Sequence, residues 1–168
     1  GADVTVVEVM DRILPVEDEE ISKFVQKSFE KQGLKIHTST TVASLKKEKD
    51  VVTASLQPAE GKAKSVKAEK VIMAVGITGN VENLGLEGTT VKVDRGHIDI
   101  DQWCKTGEEG VYAIGDVAGP PWLAHKASHE GVICVEKIAG LDPHPMKVTN
   151  IPGCTYCLPQ VASVGLTE

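Results

Sequence analysis

The sequence predicts an α/β chain in which a strand–helix–strand unit on a parallel sheet is followed by an antiparallel meander and then by a second strand–turn–helix corner. Three observations predict it. Val4-Thr5-Val6-Val7-Glu8-Val9 is a strand followed by a helix pattern and a second short apolar step. Brief β-like runs separated by charged residues fill the forties to the sixties, and Val71-Ile72-Met73-Ala74-Val75 is an unbroken apolar run closed by Gly76.

After the first strand, Pro15-Val16-Glu17-Asp18-Glu19-Glu20 opens a helix in which Ile21, Phe24, Val25 and Phe29 recur at three- and four-residue spacing, and Gly33 ends it. The acidic run sits at the positive end of the helix dipole, as a solvated helix start does. Lys35-Ile36-His37 then reads as a short parallel strand. From Thr41 the runs Val42-Ala43-Ser44-Leu45, Val51-Val52-Thr53-Ala54-Ser55-Leu56 and Ser65-Val66-Lys67 predict the meander, with the charged residues 46–50 as a hairpin turn in water.

The run 71–75 has the pattern of a strand buried on both faces, and Gly76 leaves room for close backbone approach. Residues 77–105 are Gly-rich and irregular, with strand candidates at Val91-Lys92-Val93 and His97-Ile98-Asp99-Ile100. A strand, Val111-Tyr112-Ala113-Ile114, a Gly115-Asp116 turn, a Gly119-Pro120-Pro121 loop and a helix from about Leu123 to Ala139 follow. The last segment begins with Pro152-Gly153 and reads as the entry to a further module. A strand at the first residues and another at the last suggest a piece of a longer protein.

The 168 residues are 41% hydrophobic and 25% charged, enough apolar material for a folded core, which excludes bulk disorder. A net charge of −6 without a long Lys/Arg cluster argues against a nucleic-acid partner, whose phosphates must be neutralised. No apolar run has the length of a membrane span. Four cysteines are too few for a disulfide scaffold, and a reducing compartment fits them.

Glu8 ends a strand that a turn and helix follow. A dinucleotide-binding fold places there the carboxylate that accepts hydrogen bonds from an adenosine ribose, and an acid favours NAD over NADP because a 2′-phosphate would meet a like charge. A Glu closing a strand is also common without any ligand. The sharper constellation is Thr106-x-x-x-Gly110-Val111-Tyr112-Ala113-Ile114-Gly115-Asp116. A buried strand would deliver Asp116 to its carboxyl end, where an open α/β sheet binds ligands and where the acid can accept a polyol hydroxyl. Cys154-Thr155-Tyr156-Cys157 has the spacing of a zinc half-site or redox pair, but no second pair exists, so packing is the expected role. Cys104 and Cys134 read as buried small hydrophobes, His129 and Glu130 as solvated or interface groups, and His37, His97 and His144 as surface or loop residues.

The motif ending at Asp116 is similar to the second FAD-binding motif of the flavoprotein disulfide reductases that carry two dinucleotide-binding domains. The continuation Trp122-Leu123-Ala124-His125-Lys126-Ala127-Ser128-His129-Glu130-Gly131 resembles their dihydrolipoamide dehydrogenase branch. Val4 to Glu8, Lys31-Gln32-Gly33, Ala74-Val75-Gly76, Asn83-Leu84-Gly85-Leu86 and Val161-Ala162-Ser163-Val164-Gly165 extend the resemblance over essentially the whole chain. It implies a Rossmann-like, three-layer NAD-binding domain, incomplete and ending at residue 77. A piece of the FAD-binding domain over 78–145 and the start of a dimerisation domain over 146–168 would follow.

By position, the resemblance implies that Glu8 holds the NAD adenosine ribose, Val42 lines the adenine site and Gly76 admits the dinucleotide. Asp116 would bind the FAD ribityl chain, and Trp122, Leu123, Ala124 and His125 would form the loop and helix start beneath the flavin. Free N–H groups at a helix start carry partial positive charge and stabilise negative charge there. Two departures stand out: Ile77-Thr78-Gly79-Asn80 replaces the Arg-Arg-Pro usual after this Gly, removing a cationic contact to the cofactors, and Trp122 replaces a smaller Met. The implied parent is a homodimer that oxidises dihydrolipoamide and passes a hydride to NAD. It would serve 2-oxoacid dehydrogenase or glycine-cleavage complexes in a bacterial cytoplasm or a mitochondrial matrix. The first FAD loop, the redox cysteine pair, the NAD phosphate loop and the His-Glu base are not in the sequence, so these residues alone are expected to be inactive. A non-catalytic NAD-binding module and another FAD disulfide reductase of the same family are the alternatives.

Overall fold

A computed structural model describes residues 1–167. They divide into two compact units, one formed by Gly1–Ala74 with the segment from Cys154 on, the other by Val75–Gly153.

In the first unit, β1 (Thr5–Val7) pairs in parallel with β2 (Lys35–His37), Val6 opposite Ile36, and α1 (Glu19–Lys31) connects them. The helix starts where Asp18 accepts the Glu20 N–H at 2.9 Å. Glu19 and Glu20 lie in its first turn and Lys31 in its last, matching the dipole. Gly33, at φ +95°, turns the chain out of the helix. Val25 is buried with Ile13 and Val161, and Leu14, Phe29, Ile36 and Cys157 pack against them. Burying a side chain such as Val25 is worth about 1.5–3 kcal/mol. Ile21 and Phe24, expected on the same stripe, are instead exposed, at 44% and 61%.

The meander is as expected: β3 (Thr40–Glu48), β4 (Val51–Pro58) and β5 (Lys64–Ala68) form an antiparallel sheet, with a bulge between Val42 and Ser44 and Leu56 buried. The run 71–75 differs from expectation. It pairs with no strand among the described residues, and Ile72 and Val75 are 91% and 87% exposed. An apolar run becomes a buried strand only where neighbouring strands accept its backbone hydrogen bonds.

In the second unit, β6 (Val93–Asp94) and β7 (His97–Ile98) form a hairpin turned by Arg95 and Gly96, both at positive φ. Gly79 N–H donates to the Gly96 carbonyl at 3.0 Å. The strand expected over 111–114 is not one. Tyr112 makes an isolated bridge to Lys105, Ala113 N–H donates to the Cys104 carbonyl at 3.0 Å, and Val111 and Ile114 are exposed. Asp116 is therefore delivered by a loop rather than by a sheet, on the 3-10 turn Gly115–Ala118. Beyond it lies α2 (Ala124–Ile138), close to the expected helix. Two short strands, β8 (Gly153–Thr155) and β9 (Val161–Ser163), pair near the end.

Candidate functional site

One candidate carboxylate lies in each unit, Glu8 in the first and Asp116 in the second. At the tip of β1, Glu8 N–H donates to the His37 carbonyl at 2.8 Å and the Glu8 carbonyl accepts the Thr40 N–H at 2.9 Å, which ties β1, β2 and the start of β3 to one corner. Its Oε1 accepts the Met10 N–H at 2.8 Å. Oε2 has no hydrogen bond among the described residues, and the half-buried acid is in no ion pair there. It retains an acceptor for a hydroxyl. Val42 is exposed on β3, beside the bulge. Gly76, at φ +126°, has no heavy atom within 4 Å of where a Cβ would stand, so backbone and open space meet there.

Asp116 is exposed, and its carboxylate has no hydrogen bond or ion pair among the described residues. The turn that carries it is held from α2. Lys126 and Glu130, one helical turn apart, form an ion pair at 3.0 Å with side chains only 6% and 9% exposed. Glu130 Oε2 accepts the Gly115 N–H at 2.7 Å, and Lys126 Nζ donates to the carbonyls of Gly119 at 2.8 Å and Gly115 at 3.3 Å.

Glu130, expected from the sequence to be a solvated or interface group, is instead buried within this unit. It lies four residues before the buried Cys134, hence on the same helix face, and its charge is neutralised by Lys126. The 126, 130, 134 spacing was the signal. His129 is exposed, as expected.

The start of α2 is open. Leu123 precedes it in extended conformation and no side chain caps it. The N–H groups of Ala124, His125 and Lys126 have no acceptor among the described residues, and the helix ladder begins with Ala127 N–H to the Leu123 carbonyl at 3.1 Å. His125 Nε2–H donates to the Pro152 carbonyl at 2.9 Å. Trp122 Nε1–H donates to Nε2 of His97 at 3.1 Å, the rings 5.8 Å apart and tilted by 32°. The half-buried His97 is thereby part of the Trp122 loop, a role that sequence reasoning missed. The structure brings Asp116, Trp122, Leu123, Ala124 and His125 to one loop–helix corner. Glu8 and Val42 belong to the other unit, and Gly76 sits at the beginning of the second.

All four cysteines are free. Cys104 and Cys134 are buried, as expected. Burial, and then the charge of Glu130 and the neighbouring Cys134, push the Cys104 thiol up to about 11, and burial also raises that of Cys134. Cys157 Sγ donates to the Pro159 carbonyl at 2.9 Å, while Cys154 is exposed. No cluster of three or more metal-ligating side chains occurs among the described residues.

Residues 1–131 match the sequence pattern of the family described as pyridine nucleotide-disulphide oxidoreductase. The chain belongs to that family. Among family members, a dihydrolipoyl dehydrogenase of Rhizobium etli is 58% identical over the full chain, and one of Zymomonas mobilis is 50% identical. The chain spans about 35% of the length of these relatives. LpdA from Mycobacterium tuberculosis has a similar structure, with TM-score 0.88 at 28% identity, covering 99% of this chain and 36% of that one. The HOCl-induced flavoprotein disulfide reductase RclA from Escherichia coli shares the fold, with TM-score 0.88 at 21% identity, over 100% of this chain and 37% of that one. Within this family fold, the α/β architecture expected from the sequence is present as part of a larger arrangement.

Taken separately, each unit's residues fit a dinucleotide chemically. Glu8 in the first and Asp116 in the second each keep an acceptor oxygen with no partner among the described residues, and the uncapped start of α2 offers donors to an electronegative ring edge. Gly115 sits at φ +76°, and a Cβ on it would press to 3.3 Å from the Ala127 Cβ, so only glycine lets this turn lie against the helix.

Proposed function

We propose that the chain is the cofactor-holding middle of a dihydrolipoyl dehydrogenase, spanning the end of an NAD-binding domain (1–77), the second half of an FAD-binding domain (78–145) and the start of a dimerisation domain (146–168). When bound, FAD carries electrons between a dithiol and NAD. In this reading Asp116 accepts hydrogen bonds from the ribityl chain, and the N–H groups of Ala124 and His125 point at the flavin's pyrimidine edge, where partial positive charge stabilises electron-rich states. Trp122 and Leu123 supply the apolar wall of the loop. Glu8 accepts from the NAD adenosine ribose, with Val42 lining the adenine site and Gly76 admitting the dinucleotide backbone. The dithiol and the proton-transferring base would come from elsewhere in the whole protein and its homodimer partner.

The observation that carries the reading is Asp116: an unpaired carboxylate on a clamped turn, beside an uncapped helix start, in a chain whose relatives are dihydrolipoyl dehydrogenases. Partners would be the lipoyl-bearing components of 2-oxoacid dehydrogenase or glycine-cleavage complexes, and the setting a bacterial cytoplasm or a mitochondrial matrix. No helix of the described residues is long and apolar enough to cross a membrane. The test is the absorbance spectrum of the full-length protein that contains this chain. A flavin band bleached by dihydrolipoamide and restored by NAD is expected; a colourless protein that takes up no FAD would overturn the reading.

A further inference from the structure

We propose that Lys126 and Glu130 are positioning residues for the flavin cofactor: their buried ion pair clamps the two glycines that flank the Asp116 turn and so aims the Asp116 carboxylate at the ribityl chain. The inference rests on the reading of Asp116 given above and adds to it residues that never touch the cofactor.

The turn needs such a device. Gly115 and Gly119 both sit at positive φ, +76° and +103°, where the backbone is least restrained by its own side chains. Asp116 lies between them, with a carboxylate that makes no hydrogen bond or ion pair among the described residues. Left alone, the segment would sample many orientations, and binding would have to order it at an entropic cost.

The pair on α2 removes that freedom from both ends. Each of the three Lys126 ammonium hydrogens has an acceptor: Glu130 Oε1 at 3.0 Å, the Gly119 carbonyl at 2.8 Å and the Gly115 carbonyl at 3.3 Å. The second Glu130 oxygen takes the Gly115 N–H at 2.7 Å. A buried ion pair is a weak contributor to stability compared with apolar residues of the same volume, so general core packing is a poor account of it. Every polar bond that the two side chains make beyond each other goes to the backbone on either side of Asp116. Lys126 is also the third residue of α2, next to Ala124 and His125, so one pair registers the turn and the helix start against each other.

The experiment uses the full-length protein. In K126M/E130L, apolar side chains replace both partners, so no uncompensated charge is left. FAD affinity is measured by titrating the flavin-free form, in wild-type and D116N backgrounds, together with amide hydrogen exchange at Gly115 in the flavin-free protein. The clamp predicts that K126M/E130L weakens FAD binding by about tenfold or more, that this loss falls to within about threefold when Asp116 is already Asn, and that Gly115 loses exchange protection. FAD binding unchanged by K126M/E130L, or the same loss in the D116N background, overturns it. If K126M/E130L does not fold, E130Q decides by the same comparison in the two backgrounds, with a loss of about threefold or more expected and its absence counting against the clamp. A wild-type protein that takes up no FAD removes the underlying reading and this one together. A wild-type protein that takes it up while the variants bind equally well removes the clamp alone.

Discussion

Glu130 accepts the backbone N–H of Gly115 at 2.7 Å from a side chain that is almost completely buried. Removing the acid leaves that N–H without its acceptor and the buried Lys126 ammonium without its counter-charge, with only the Gly115 and Gly119 carbonyls to receive it. E130A is expected to lower stability by about 3–5 kcal/mol, because an uncompensated buried charge is the costliest outcome. E130Q, which keeps an acceptor, should cost about 1–3 kcal/mol. Urea unfolding of the two variants checks the ranking, and equal losses would mean that the charge is immaterial.

Gly79 is a steric rather than a conformational requirement. A Cβ there would stand 2.6 Å from the Gly96 carbonyl oxygen and 3.1 Å from the Val117 Cα, both backbone atoms. G79A should cost about 1–3 kcal/mol through overpacking. By contrast, Gly33 has open space around its missing Cβ, and G33A should cost only about 1 kcal/mol, from its φ of +95°. Thermal melts separate the two if G79A melts well below G33A.

The Cys104 thiol, pushed up to about 11 by burial and by the nearby Glu130 charge, gives a pH signature. A thiol in the unfolded chain ionises near 8.5. The folded state therefore holds its proton more tightly, and the stability it contributes is complete below about pH 8.5 and lost as pH rises towards 11. Urea midpoints should fall across that window, and C104A should flatten the slope. At pH 8 the exposed Cys154 should be alkylated quickly while Cys104 stays protected until the protein unfolds.

At the acid end, Glu108 accepts the Thr90 N–H at 2.7 Å and its hydroxyl at 2.8 Å, and these bonds hold its carboxyl below the ordinary value. A depressed carboxyl stabilises the fold above the unfolded value near 4.3, and the effect disappears as pH falls through the folded one. The Thr90 amide resonance, followed by NMR as pH falls, should titrate with Glu108 and lose that response in E108Q.

Trp122 donates its indole N–H to His97, so a change at position 97 should be visible in fluorescence. In a W103F background, H97A is expected to shift the Trp122 emission to the red by admitting water to the indole. An unchanged spectrum would mean that the ring is held by its other contacts.

The strand–helix–strand unit and the meander were legible because local periodicity carried them. Ile36 and Val6 are apolar steps of strand length, and residues 42–67 alternate around charged turns. The turn that carries Asp116 was legible from the Gly115-Asp116 pair, although a loop rather than a strand leads into it. The run 71–75 was misread because apolarity reports what a segment would bury, not whether neighbours exist to pair with it. Glu130 reads, with His129, as turned away from an apolar stripe of Ala127, Ile133 and Cys134, but its four-residue spacing from both Lys126 and Cys134 puts it on the inner face. The His97–Trp122 bond joins residues 25 apart through tertiary folding, and no local pattern encodes it.

Ile72 and Val75, nearly bare in water, have a consequence for handling these residues in isolation. An exposed apolar stretch that pairs with no strand among the described residues is a template for cross-strand association, and a net charge of −6 over the whole chain does little at that one place. Solubility of the isolated polypeptide should be limited there, with light scattering that climbs with concentration and subsides when Ile72 is exchanged for lysine.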